Sequence, residues 1–501
     1  MSPINATAEL RHLERSVMEL RARVAAVAEQ WLATNEPAKV RSKWREPMRN
    51  LAHYLALRGE DLAPLQERLS HLGLSSLGRS EGRVEASLEA LVVTLGRAAG
   101  GARNTTYPSA NAAIEMRRSR SAEIDALLGP DPQGPTTRIM VTLPDDVGDR
   151  PHHVERLIEA GADVFRINCA HGSAALWEAA IGAVRNVEAR FGRRCRIMMD
   201  LGGPKIRIAA VAGADRRLHV GSHFLLSGGV QDDDAGAGPA ATISHPEIVA
   251  ASRIGDAVWF DDGKLQAEVV GKRHGALELL VRRAKRKGVR LKVGKGLAFP
   301  DQTIELPALT AKDLADLDIV ATHADLVGFS FVQRAEDVAW LQRELAMRRL
   351  GLPDLPIVLK IETQLAVANL PSLIVQAAAR APAAVMIARG DLALDVGFAE
   401  LSQLQEQMLW LCEAAAVPVI WATQVLESLV KEGIPTRSEA TDAASAQRAD
   451  CVMLNKGPHQ VEAVAFLDQV LRHMDLHMVK KSPVMSSLKL WAAPRHPMQN
   501  A

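Results

Sequence analysis

Lys360 and Glu362 stand two residues apart inside the apolar run Ile357-Val358-Leu359-Lys360-Ile361-Glu362. On a β-strand, side chains at i and i+2 share one face. An ammonium and a carboxylate then project together from the end of a buried strand. That is costly unless they pair with each other or bind something. Taken alone, a structural ion pair and a functional site explain these two residues equally well, since buried pairs exist without function.

The elements that must position them start at about Thr137, where short apolar or β-branched runs begin to alternate with helical stretches. The predicted strands are Arg138–Thr142, Val164–Asn168, Arg196–Asp200, Asp325–Phe329, Ile357–Ile361, Ala384–Ala388, Val417–Ala422 and Cys451–Leu454. Helices are expected between them at Pro151–Ala160, Ala174–Arg190, Ala335–Arg348 and Phe398–Ala415. Strands each followed by a helix predict an α/β protein of the (β/α)8 TIM-barrel type, whose site lies at the carboxyl ends of the strands. Glu362 falls at such an end.

The interval from about Ala209 to Pro307 breaks the alternation. Its segments Val258–Phe260, Leu265–Val270 and Leu277–Val281, with turn signals at Asp262-Gly263 and His274-Gly275, predict an inserted small β-barrel domain. An insert on that loop sits over the barrel mouth as a lid that excludes water. Before the barrel, Leu10, Leu13, Val17, Leu20, Val24 and Val27 recur at helical spacing. Further sets at Asn50 to Leu57, at Leu65, Leu69 and Leu72, and at Val84 to Leu95 complete an α-helical region without evident chemistry, since such stripes are usually core. The Pro- and Gly-containing passage Gly129 to Thr137 reads as a linker. The expected organisation is a helical region over 1–130, a barrel over 137–208 and 308–475, an insert over 209–307 and a tail over 476–501.

With 501 residues the chain is long enough for two or three domains. Its 60 basic and 59 acidic residues leave a net charge of +1, so no global field favours nucleic acid or an anionic membrane. Any phosphate chemistry must be local. Cys169, Cys195, Cys412 and Cys451 lack metal-ligand spacing and sit in apolar runs, as reduced core thiols do. No run approaches the roughly 18 apolar residues of a membrane span, and the amino terminus has no basic-then-apolar signal pattern. A soluble cytoplasmic protein is expected.

Several motifs then occur in one order: Arg166-Ile-Asn-Cys-Ala-His-Gly172, Asp200-Leu-Gly-Gly-Pro-Lys-Ile-Arg207, Ser330-Phe-Val332, Lys360-Ile-Glu362, Ala388-Arg-Gly-Asp-Leu392 and Ala422-Thr-Gln-Val-Leu-Glu-Ser428. With Asp261-Asp-Gly263 and Lys295-Gly296 in the insert, the stretch from Thr137 to Leu471 resembles pyruvate kinase. The helical region lies outside the resemblance. The family's carboxy-terminal regulatory domain is expected to be absent, because about thirty residues follow the last barrel helix. Regulation by that domain's sugar-phosphate site is then not expected, and the helices would replace it in a homo-oligomeric assembly.

The resemblance implies transfer of the phosphoryl group of phosphoenolpyruvate to ADP, giving pyruvate and ATP, as in glycolysis. It gives Glu362 and Asp391 to Mg²⁺ or Mn²⁺, an ion that would complete its octahedron from substrate oxygens and water. Lys360 would stabilise the moving phosphoryl and then the enolate oxygen, with Arg166 as a second cation. The amides of Gly390 and Asp391 would hold the substrate carboxylate. Thr423 would face the enolate where it is protonated, or else cap a helix. His171, Arg207 and Lys295 match residues used around ADP.

Departures from the family are informative as well. A monovalent cation normally sits beside the phosphate. Asn168 and Asp200 of its site remain, while Ala170 and Leu201 replace the two hydroxyl residues. Lys205 stands where glutamate is commoner, so its ammonium would substitute for K⁺ and make K⁺ unnecessary. Thr142-Leu-Pro-Asp145 lacks the family's glycine-containing turn, and Thr363 and Ala393 also depart. Asn455-Lys-Gly-Pro458 replaces a Ser-Gly-Glu-Thr segment that supports proton relay, a change expected to slow protonation. Two other readings are a metal-dependent lyase or aldolase acting on the pyruvate enolate, and a non-catalytic regulatory paralogue. The insert and Arg207 argue against the first. Intact Lys360, Glu362, Asp391 and Arg166 argue against the second.

Overall fold

The structure is a computed structural model, and it describes residues 6–483 except 38, 102–105, 131–133, 214–215, 230–238, 262, 274, 301, 303 and 480–481. The turn residues Asp262 and His274 and most of the 476–501 tail therefore lie outside the described residues.

Five helices come first: α1 (Ala6–Asn35), α2 (Arg45–Arg58), α3 (Ala63–His71), α4 (Val84–Ala98) and α5 (Ala110–Leu128). On α1, Leu13, Val17, Leu20 and Val24 are buried as their spacing predicts, but Val27 is 50% exposed and Ala28 is buried instead. The stripe of a straight helix drifts from a strict seven-residue repeat, and Ala28 takes up that drift. Trp44, fully buried just before α2, donates its indole N–H to the Ala415 carbonyl at 2.9 Å. Asn50 donates to the Ala414 carbonyl at 2.8 Å and accepts from the Val84 amide at 2.9 Å. Both side chains thereby fasten the helices to the carboxyl end of the barrel helix Phe398–Ala414.

The strands follow in chain order. β1 (Arg138–Thr142), β2 (Val164–Asn168) and β3 (Arg196–Asp200) precede the insert. The insert contributes β4 (Ile208–Ala212), β5 (His223–Ser227), β6 (Ala240–Ile243), β7 (Ala257–Phe260), β8 (Leu265–Arg273), β9 (Ala276–Ala284) and β10 (Leu297–Ala298). β11 (Leu326–Phe329), β12 (Ile357–Ile361), β13 (Ala383–Ala388), β14 (Val419–Ala422) and β15 (Cys451–Leu454) complete a closed parallel barrel of order β1-β15-β14-β13-β12-β11-β3-β2. The fourth strand starts one residue later than predicted, at Leu326, although the Asp325 amide still bonds the Ile197 carbonyl at 3.0 Å, a difference within the usual variation of strand ends.

Helices cover the outside of the barrel, so its strands are buried on both faces and read as continuous apolar runs. Alternation still decides which residue points inward. Met140, Val164, Met198, Leu326, Val358, Met386, Ile420 and Met453 form the interior cluster. Leu127 and Leu128, at the end of α5, join that cluster and close the amino-terminal end of the barrel. By the same period of two, Val164 places Arg166 and Asn168 inward, Met198 places Asp200, and Val358 places Lys360 and Glu362.

The insert is a seven-stranded sheet of order β10-β7-β8-β9-β5-β6-β4, curled nearly into a barrel. It has its own core, in which Phe224 and Phe260 meet edge to face at 5.5 Å. Where it leaves and re-enters the barrel, the Ile208 amide bonds the Lys295 carbonyl at 2.9 Å and the Leu297 amide bonds the Ile206 carbonyl at 3.0 Å. All four cysteines are buried free thiols. Among the described residues, no helix is long and apolar enough to cross a membrane.

Candidate active site

Burial and charge converge at the carboxyl ends of β2, β3, β11 and β12. Asp200 is fully buried and lies between two cations. Arg166 donates to its Oδ2 through Nε at 2.7 Å and through Nη2 at 2.6 Å, and Lys360 Nζ lies 3.2 Å from its Oδ1. Burial alone would raise the Asp200 carboxyl, but Lys360 and Arg166 outweigh it and hold the group below its ordinary value. Lys360 is held above its ordinary value: burial opposes its charge, and Asp200 and Glu362 prevail. Both groups are therefore ionised at neutral pH.

Lys360 Nζ also lies 3.4 Å from Glu362 Oε1 and donates to Ser330 Oγ, whose hydroxyl donates to the Leu201 carbonyl at 2.7 Å. Glu362 Oε2 accepts the Phe331 amide at 2.6 Å. Phe331 has φ of 54°, a left-handed conformation that a bulky residue adopts only under constraint. Burial raises the Glu362 carboxyl, and the charge of Asp391 raises it further against the pull of Lys360. Glu362 and Asp391 line the same cavity.

Asp391 itself is held by Lys205, whose Nζ lies 2.7 Å from Oδ1 and 2.9 Å from Oδ2. Asn168 and Asp200 are register partners on β2 and β3, whereas the Lys205 ammonium is engaged with Asp391. Lys205 contacts Asp391, Asn168 Oδ1 accepts the Ala170 amide at 3.2 Å, and Asp200 is taken by Arg166 and Lys360. The spacing of the Asp200–Arg207 motif gives no hint of this, because Asp391 lies 186 residues further on.

Gly390 and Thr423 do meet. The Gly390 amide donates to Thr423 Oγ1 at 2.7 Å. The amides of the first turn of helix Arg389–Val396, that of Asp391 included, have no acceptors within the helix. Arg389 has a role that its place in the sequence does not announce. It donates to the Ala422 carbonyl at 3.0 Å and the Thr423 carbonyl at 2.7 Å, and forms an ion pair with Asp442. It thereby clamps the end of β14, where Thr423 and Gln424 have φ of 65° and 57°. Nor does the sequence announce the roles of Ser330 and of Thr142, the latter accepting from Arg166 Nη1 at 3.0 Å. Arg389 and Ser330 fall inside the Ala388–Leu392 and Ser330–Val332 motifs and Thr142 opens the Thr142–Asp145 segment, the one sequence signal that each carries.

His171 follows β2, and Arg207 and Lys456 act on it electrostatically. Its imidazole is lowered from its ordinary value by burial first, then by those two cations, against Asp145. Lys456 Nζ bonds both oxygens of Asp145 at 2.8 Å, so two segments that depart from the family are paired with each other. Asn455 donates to Glu427 at 3.1 Å. Arg207 donates to the Gly294 carbonyl at 2.9 Å, and Lys295 pairs with Asp261 at 3.0 Å within the insert.

A cavity of about 450 Å³ opens between the root of the insert and the barrel mouth, lined by Pro204, Leu297, Phe331, Glu362, Asp391 and Asp395 among others. No group of three or more His, Cys, Asp or Glu side chains able to hold a metal occurs among the described residues. Two carboxylates suit a hard divalent ion that takes its remaining ligands from water and substrate oxygens. Glu362 and Asp391 fit that requirement.

A family model for the barrel domain of pyruvate kinase matches residues 122–465. The pyruvate kinase of Methylorubrum extorquens is 32% identical over 367 residues, covering 72% of this chain and 70% of that protein. Those of Sporosarcina psychrophila and Geobacillus stearothermophilus are each 31% identical, over 67% and 68% of this chain and 56% and 58% of their own lengths. The chain thus spans little more than half of two of these relatives.

Proposed function

The chain belongs to the pyruvate kinase family, and from that premise we propose that it transfers the phosphoryl group of phosphoenolpyruvate to ADP, yielding pyruvate and ATP. The observation that carries this reading is the Lys360 ammonium near the carboxyl end of β12, buried between Asp200 and Glu362 at 3.2 and 3.4 Å. A lysine kept charged at that depth suits oxygens that gain negative charge during reaction.

In this reading Glu362 and Asp391 hold Mg²⁺ or Mn²⁺, which when bound offsets phosphate charge and orients the substrate. Lys360 and Arg166 supply the protein's positive charge to the phosphoryl oxygens, and Lys360 then stabilises the enolate oxygen. Asp200 keeps both cations in place. The Asp391 amide receives the substrate carboxylate, joined by that of Gly390 once Thr423 releases it. Thr423 then faces the enolate that must be protonated. His171, Arg207 and Lys295 attend the nucleotide, with Lys295 leaving Asp261 as the insert closes.

Independence from K⁺ is part of the proposal. Ala170 offers no side-chain oxygen, and Asp200 already has two cations, so little anionic character is left for a monovalent ion. Rapid turnover that collapses in K⁺-free buffer would overturn this part.

The test is a lactate-dehydrogenase-coupled assay with phosphoenolpyruvate, ADP and Mg²⁺, comparing the wild type with Lys360→Met. Loss of one buried charge donor is expected to lower kcat by about 10²- to 10³-fold. Wild-type pyruvate formation no faster than the variant's rejects the kinase reading. Enolate proton exchange without ADP turnover instead favours a lyase.

A further inference from the structure

We propose that Lys205 is a resident cation at the divalent-ion position: in the metal-free protein it neutralises Asp391, and an incoming ion must displace it before Glu362 and Asp391 can share that ion. The inference rests on the reading of those two carboxylates as metal ligands.

Each of the two carboxylates already has its own ammonium. Glu362 has Lys360, which is fixed on a buried strand and also held by Asp200 and Ser330. Asp391 has Lys205, which reaches both of its oxygens. Because Lys205 reaches both oxygens of Asp391, a divalent cation must compete with it for that carboxylate and against the repulsion of its charge. Of the two lysines, Lys205 is the one able to leave. Its side chain is 21% exposed against 10% for Lys360, and its ammonium is a point charge on a flexible stem.

The way Lys205 is delivered adds a second consequence. It follows Gly203, whose φ is 64° and where a Cβ would lie 2.9 Å from Ser330 Cβ, so only glycine lets the segment turn there. Its Cε lies so close to Gly296 that a Cβ at 296 would be 2.7 Å away. Gly296 pairs with Arg207 across the root of the insert, and its carbonyl accepts the Asp261 amide at 3.0 Å. Lys205 is thus wedged between the two connections that carry the insert, and its displacement by a metal disturbs that root directly.

The test is Mn²⁺ binding to the full chain without substrates, followed by the electron paramagnetic resonance signal of free Mn²⁺. Wild type is compared with Lys205→Met and Lys205→Gln, two variants of different shape, each checked for folding by near-ultraviolet circular dichroism. Both variants are expected to bind Mn²⁺ at least about tenfold more tightly, which corresponds to about 1.4 kcal/mol. Adding Asp391→Asn to Lys205→Met should abolish the gain. Unchanged or weaker Mn²⁺ binding in the folded variants overturns the inference and leaves the metal-site reading intact. Absence of Mn²⁺ binding in wild type and variants alike, or binding indifferent to Asp391→Asn, overturns both.

Discussion

Gly328 and Asp200 are register partners on neighbouring strands with no space between them: a Cβ at 328 would lie 2.5 Å from Asp200 Oδ1 and 3.0 Å from its Cγ. The missing side chain of one residue is what lets the other stand between Arg166 and Lys360. Gly328→Ala must therefore push the carboxylate aside. The expected cost in stability is about 1–3 kcal/mol, the usual range for overpacking. Displacing the cluster by a fraction of an ångström to 1 Å is expected to lower kcat by about 10²-fold. A thermal melt beside the coupled assay checks both, and unchanged kcat in a destabilised variant would show that Asp200 does not position the two cations.

Arg389 spans Asp442 and the carbonyls of Ala422 and Thr423, a task suited to a planar fork. Lys cannot reproduce that fork, so Arg389→Lys should lower stability by about 1.5–3 kcal/mol, the range for hydrogen bonds to charged groups. Thr423 would then lose its fixed place beside Gly390. The kinetic signature expected is a fall in kcat larger than any rise in KM for phosphoenolpyruvate. A pure KM effect would place Arg389 on the binding side instead.

Trp44 joins the helical region to the barrel through both its bulk and its indole N–H. Trp44→Ala is expected to cost about 3–5 kcal/mol through the cavity it leaves. Trp44→Phe keeps most of the ring but removes the donor to the Ala415 carbonyl, for about 1–3 kcal/mol. Urea melts separate the two variants. Equal, small losses would mean that the helices dock by other contacts.

His171 offers a pH test that requires no turnover. Its depressed pKa means that as pH falls below the ordinary value of 6.5 the unfolded chain binds the proton first. Stability from this group is lost in the window between 6.5 and the lower folded value. Removing a cation eases protonation, so Lys456→Met should raise the imidazole midpoint, and Asp145→Asn should lower it further. Nuclear magnetic resonance titration of the His171 ring, assigned with His171→Asn, reads both directions. Shifts of the opposite sign would mean that the paired Lys456 and Asp145 do not face this ring.

The barrel was legible because its strands are short apolar runs at regular intervals, and the period of two then carried Lys360 and Glu362 to the same face as Val358. Helix α5 was harder. It carries few apolar residues near its end beyond Ile124, Leu127 and Leu128, and much of its docking is ionic, through Arg120 to Asp450 and Glu123 to Arg41. Hydrophobic periodicity cannot report such contacts. Lys205 illustrates the same limit within the site. Its type and its place in a motif were informative about charge, but its partner Asp391 is fixed by the closure of the barrel and by the turn at Gly203.

The floor of the barrel has a bearing on how the chain must assemble. Leu127 and Leu128 belong to a cluster completed by β14 and β15, and Arg120 is tied to Asp450, 330 residues later. Trp44 waits for the Ala415 carbonyl 371 residues downstream, and Arg41 waits for that of Ala378 337 residues downstream. During synthesis the helices emerge first and their fastenings nearly last, so they can associate with one another but cannot lock onto the barrel until the seventh and eighth strands are available. Contacts of such separation slow folding and prolong the exposure of apolar surface. The surface around Trp44, which of these residues waits longest for its partner, is thus the apolar stretch that the nascent protein must protect longest from aggregation.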